Sequence, residues 1–196
     1  ITVESERVRS AVRATAGRIL TYGGKALPSY FHSTCGGHTA GSADVWGGAE
    51  PPPLKGVRDR WCRISPHYRW EAYFSSDDIR AALQKNGFPV VRLDDIREGT
   101  HGAAGWLSDL RLKTEKGWRR LPANKFRLWV GPRDLKSMRI DRVKRRKKGY
   151  EFSGRCYGHG VGMCQWGARA QAEDGKGYLD ILGHYFPGAS LGRMPQ

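Results

Sequence analysis

No stretch of this sequence is apolar for long enough to span a membrane. Ile1 opens a polar, charged segment with no apolar core behind it, so no secretory leader is read. A start at Ile1 without Met suggests a mature, trimmed or cleaved chain. Internal repeats and low-complexity tracts are missing, and no alternation of strand and helix points to βαβ units. Zinc-finger, homeodomain and RRM signatures are missing too, which argues against nucleic acid as the partner. Acidic residues are scarce: 19 Asp and Glu face 34 Lys and Arg, giving a net charge of +15. That balance favours an anionic partner such as a cell-wall polymer or an anionic lipid surface. Part of it is one block, residues 139–148 (RIDRVKRRKK), which reads equally well as a solvated hairpin rim.

Cysteine is also scarce. The four residues are Cys35, Cys62, Cys156 and Cys164, with no CxxC pair among them. An even number in a basic chain points to an oxidising compartment, and three pairings are open. Cys35–Cys62 and Cys156–Cys164 each close a local loop and are the expected disulfides. The competing reading places zinc on His32, Cys35, His38 and Cys62, although their spacing matches no common zinc motif. No other cofactor is expected.

Glycine, by contrast, is plentiful, and it is concentrated. Residues 158–168 (GHGVGMCQWGA) hold four glycines with His159 and Gln165 among them. Such a run is not selected for helix or strand stability; it lets the backbone turn through positive φ or lets another group come close. A second cluster, residues 30–39 (YFHSTCGGHT), has the same character. Two such loops in 196 residues point to a shared cleft. His159 suits substrate contact or structural linkage, with a general-base role behind both. Gln165 suits bidentate hydrogen bonding, or capping of the helix it begins. His32 and Ser33 are adjacent on a strand and point to opposite faces, so they do not form a local couple. Trp46, in a Gly-flanked loop, suits an aromatic platform for a sugar ring. No Asp or Glu lies inside either cluster, and Asp44 comes nearest.

The remaining pattern predicts a helix over residues 3–16 and a strand over 19–22. It then predicts a Gly23-Gly24 turn and a returning strand over 26–32. Residues 68–74 alternate as a strand, and Ser75 to Asp78 cap a helix over 79–85. Strands are expected at 90–96, 107–113 and 118–121, and a short helix at 122–128. A hairpin over 138–143 and 149–153 carries the basic block, and helices follow at 165–172 and 178–185. The class is α+β, with mixed strands and short helices around a cleft.

Taken together, the pieces resemble the stage II sporulation protein D / LytB amidase-enhancer family of peptidoglycan-acting proteins. They run in family order: AVRATAGRILTY at 11–22, HSTCGGHT at 32–39, Val45-Trp46, Val57, Asp59, Cys62, Ser65-Pro66, Trp70, the 158–168 loop, and YLDILGHYFPG at 178–188. Residues 76–150 match only loosely and read as an inserted β-rich subdomain within one domain over 1–196. The resemblance implies an extracytoplasmic protein of the periplasm, cell wall or exterior, with peptidoglycan glycan strands and a cell-wall amidase as partners. It also implies lytic transglycosylase chemistry. One glutamate protonates the glycosidic oxygen, then as base helps the sugar's own hydroxyl close an anhydro ring. Water is not the nucleophile, so a second carboxylate is dispensable.

That glutamate lies, in the family, well before the segment matching 11–22, and so does a loop that binds zinc in some members. Glu4 and Glu6 do not match the motif, so no catalytic residue is assigned here and the acid is expected upstream of Ile1, in a missing N-terminal segment. His32, Ser33, Trp46, His159 and Gln165 are the expected substrate-binding residues. The alternative is a non-catalytic wall-binding or amidase-enhancing module. Cys156 stands where the family usually has glycine, which strengthens the Cys156–Cys164 pairing.

Overall fold

The computed structural model describes residues 5–102 and 104–193. In chain order the elements begin with α1 (Glu6–Thr15), β1 (Arg18–Tyr22), β2 (Lys25–Ala26), β3 (Phe31–His32) and α2 (Ser42–Trp46). Two 3-10 turns, Pro52–Leu54 and Trp61–Ile64, precede β4 (Arg69–Ser75) and α3 (Ser76–Lys85). Next come β5 (Leu93–Glu98), β6 (Asp109–Thr114), β7 (Gly117–Pro122) and α4 (Ala123–Val130). The chain closes with β8 (Arg139–Arg146), β9 (Gly149–Arg155), β10 (Met163–Cys164), α5 (Gln165–Glu173), α6 (Tyr178–Tyr185) and β11 (Ser190–Arg193). Mixed helices and several small sheets make the class α+β.

The chain divides into two compact units. The smaller one takes residues 1–29 and 188–196. In it β1 pairs antiparallel with β2 and with β11, the latter in register Arg18 to Arg193. Ser5 caps α1, its hydroxyl accepting from the Val8 N–H, and no residue of α1 is buried. Residues 3 and 4 of the expected first helix lie outside the described residues.

The larger unit takes residues 30–187. Its hydrophobic core runs from Trp70 to Phe152 and packs two three-stranded antiparallel sheets with α3 and α4. One sheet orders β4-β9-β8, the other β5-β6-β7. Strand β4 shows the cause in its alternation: Trp70 and Phe74 are buried while Arg69, Glu71 and Tyr73 face solvent. Ser75 ends β4 and caps α3, accepting from Asp78 N–H at 3.0 Å, and Asn86-Gly87 stops the helix, with Gly87 at φ 75°. The basic block lies along β8, and the Lys147-Lys148 turn joins it to β9. Among the described residues no helix is long and apolar enough to cross a membrane.

Two local expectations change. The strand expected over 26–32 ends at Ala26, because Pro28 donates no hydrogen bond and interrupts any ladder. Phe31–His32 instead pairs in parallel with Met163–Cys164, so that His32 stands beside Cys164. Helix α2 arises inside a stretch with no periodic signal, and its N-cap Gly41 has no side chain to announce it.

Candidate active-site cleft

The β3–β10 pair joins the two glycine-rich clusters. Ala40 N–H donates to Gly160 O at 2.8 Å, Met163 N–H to Tyr30 O at 2.9 Å, and Trp166 N–H to Ser33 O at 3.1 Å. The glycines of the second loop alternate at positive φ: Gly158 at 119°, Gly160 at 84° and Gly162 at 72°. Space demands them as well as conformation. A Cβ on Gly160 would enter the indole of buried Trp106, and one on Gly162 would strike the Tyr30 carbonyl. Trp106 is fixed in turn by its Nε1–H, which donates to His38 O at 3.2 Å.

This pairing sets His159 among aromatic rings. Its ring centroid lies 5.2 Å from Trp46 and 5.8 Å from His32, and Tyr30 lies 4.7 Å from Trp46. Trp46 is 45% exposed and Tyr30 is exposed beside it, so their apolar faces meet solvent. The His159 Nδ1 accepts from Val161 N–H at 3.1 Å. Burial holds its pKa below the usual histidine value. With Nδ1 taken by the backbone, His159 is suited to contact and positioning.

His32 lies beneath this group, 4% exposed. Its Nδ1 donates to Val161 O at 3.2 Å, leaving Nε2 as a buried acceptor with no partner. Such an unmet acceptor costs about 1–3 kcal/mol. Burial, then the neighbouring His159, lowers the pKa of His32 to about 3. Ser33 is half-buried, and its hydroxyl lies 3.5 Å from that of Thr34. Gln165 is exposed at the first position of α5. It is not the cap: the Cys164 sulfur fills that role, accepting from Gly167 N–H at 3.4 Å. Tyr30, Trp46, His32 and His159 thus form one group of rings, with Ser33 and Gln165 outside it. Sequence reasoning missed Tyr30, although its position two residues before His32 on an extended segment was a usable signal.

The nearest carboxyl by sequence, Asp44, sits in α2 against the backbone of Gly102. Burial and the nearby Glu50 raise its pKa. Asp59 is buried with both oxygens occupied, taking the Tyr185 hydroxyl at 2.8 Å and Trp61 N–H at 2.8 Å.

All four cysteines are buried thiols, so neither expected disulfide is formed. The Cys35 and Cys62 sulfurs are 3.3 Å apart, against about 2.05 Å for a bond. The Cys164 sulfur is drawn to Cys35, whose N–H it accepts at 3.3 Å, and not to Cys156. The neighbouring Cys164 and Cys35 side chains lower the pKa of Cys62, while burial raises that of Cys35 and the pKa of Cys164 is raised as well. The expected zinc set is not assembled either. His32 turns to Val161, and His38 Nδ1 donates to the Thr39 carbonyl at 2.8 Å. Beside the sulfurs opens a cavity of about 610 Å³ lined by Arg58, Arg60, Arg63, Arg139, Arg155 and Tyr68, among others.

A family model described as "Domain of unknown function (DUF8618)" matches residues 54–162. The chain is similar to stage II sporulation protein D of Bacillus amyloliquefaciens, at 31% identity over 95% of the chain and 51% of that protein. Stage II sporulation protein D of Bacillus subtilis gives the same figures. The amidase enhancer of Bacillus subtilis is 26% identical over 95% of the chain and 33% of that protein. The chain thus spans about half the length of the sporulation proteins it matches, and about a third of the enhancer.

Proposed function

The chain belongs to the stage II sporulation protein D / LytB amidase-enhancer family, with the DUF8618 domain at its centre, and from that premise we propose that it acts on the bacterial cell wall. It binds peptidoglycan glycan strands outside the cytoplasm as part of a lytic transglycosylase. The observation that carries the reading is the exposed Tyr30–Trp46 face braced by His159. Aromatic faces of this kind stack on pyranose rings, and the hydrogen bond from Val161 N–H to His159 helps hold the platform in place at little entropic cost. His32 positions His159 from beneath, and Gln165 and Ser33 offer hydrogen bonds to the strand at its flanks.

The general acid comes from outside residues 1–196. Asp59 is closed off by Tyr185 and Trp61, and the His159 Nδ1 is held by Val161 N–H. A glutamate from an upstream segment would protonate the glycosidic oxygen and then deprotonate the sugar hydroxyl that closes the anhydro ring. Digestion of glycan strands stripped of stem peptides, with mass detection of anhydro-sugar ends, tests this. Such ends are expected only when the upstream segment is supplied, and their release by this chain alone would overturn the assignment of the acid.

The net charge of +15 and the name of the relative called amidase enhancer favour a second reading. In it the chain is a non-catalytic module held on anionic wall polymer, with a cell-wall amidase as partner. Salt-sensitive retention on peptidoglycan, with no anhydro ends even when the upstream segment is present, would select it.

A further inference from the structure

Four buried side chains converge next to the cleft without taking part in it. The Sγ atoms of Cys35, Cys62 and Cys164 and a carboxylate oxygen of Asp59 all lie within 4.8 Å of one another. Cys35 Sγ is 3.2 Å from Asp59 Oδ2 and 3.3 Å from Cys62 Sγ. Ligands at about 2.3 Å from a tetrahedral zinc stand about 3.8 Å apart, so the group needs only small adjustments to surround an ion.

We propose that Cys35, Asp59, Cys62 and Cys164 bind one structural zinc ion. Three sulfurs and one oxygen in a closed, buried set suit zinc, and they leave no position open for a water nucleophile. Backbone donors face two of the sulfurs, as they do around metal-bound thiolates. Gly37 N–H points at Cys35 Sγ from 3.4 Å, while Cys35 N–H and Gly167 N–H point at Cys164 Sγ. Cys164 also opens α5, whose N-terminal dipole favours negative charge. Asp59 is aimed by Tyr185 and Trp61, the kind of outer contact that fixes a metal-binding carboxylate. Three thiolates and a carboxylate exceed the zinc charge by two. The Arg139 guanidinium, which donates to the Cys35 and Gly36 carbonyls at 3.0 and 2.8 Å, lies close enough to offset part of that excess.

The ion would tie three distant segments. Cys35 follows β3, Asp59 precedes a 3-10 turn that contains Cys62, and Cys164 lies in the glycine-rich loop at the end of β10. Both halves of the cleft would then hang from one metal. The proposal rests on these four side chains and not on the glycan reading.

Elemental mass spectrometry on the purified protein, after zinc loading and desalting, tests it. About one zinc per chain is expected, and cobalt(II) in its place should give intense tetrahedral visible bands with thiolate charge transfer. Cys62→Ser should weaken zinc binding at least about tenfold. Cys156→Ser, outside the group, should keep wild-type stoichiometry and so separates ligand loss from general thiol loss. The proposal is overturned by metal-free protein with four titratable thiols, by an intact mass two hydrogens lower from a Cys35–Cys62 bond, or by equal zinc retention in Cys62→Ser and wild type.

Discussion

Two polar clusters flank the β3–β10 pair, and they are built for opposite ends. The Tyr30–Trp46–His159 cluster opens to solvent with Trp46 45% exposed. The Cys35–Asp59–Cys62–Cys164 cluster is wholly buried. The open cluster presents aromatic rings at the surface, so it offers faces and edges to a ligand that comes and goes. The closed one gathers sulfur and carboxylate where no exchangeable ligand reaches. One parallel pair of two-residue strands positions both, because His32 and Cys164 are partners in its register.

The comparison breaks most sharply at the glycines that let the clusters approach. Gly160→Ala combines positive φ with a collision against Trp106. It should destabilise the protein by about 3 kcal/mol and lower the melting temperature by roughly 6–12 °C. Gly105→Ala has positive φ and open space, so it should cost only about 1 kcal/mol. Equal losses in differential scanning fluorimetry would mean that close packing at Gly160 does not matter.

Acid separates the clusters next. His32 has a folded pKa of about 3 against 6.5 when free. The unfolded chain therefore binds more protons between those values, and stability falls as pH drops through that window. At pH 5 the loss from His32 should be about 2 kcal/mol relative to neutral pH. Denaturant unfolding across pH 7 to 4 reads it, and His32→Asn should flatten the profile. An unchanged profile would show that His32 is not held neutral.

Smallest are changes at the rim. Substituting Arg142 and Lys144 by Glu on β8 should leave stability within about 0.5 kcal/mol. It should also weaken retention on anionic wall polymer and reduce its salt dependence. Retention unaltered at low salt would take the basic block out of the binding account.

What the sequence disclosed follows from how local each signal is. Helix α6 begins and ends where its apolar spacing and Pro187-Gly188 place it, and Ser75 announces α3 through one side chain. Helix α2 has five residues and a glycine cap, so it leaves no such mark. The two glycine-rich loops stood out by composition. Their parallel pairing depends on contacts more than a hundred residues apart, and a two-residue strand has no periodicity to read. The sulfur group is hidden for the same reason. Its members come from three segments without CxxC spacing, and Asp59 joins them only in the fold.

The central claim is that the Tyr30–Trp46–His159 face holds glycan. Calorimetric titration of wild type and Trp46→Ala with glycan strands stripped of stem peptides tests it most directly. Trp46 contributes little to the core, so the melting temperature should stay within roughly 2 °C of wild type while affinity falls at least about tenfold. Equal affinity of the two proteins would contradict the account.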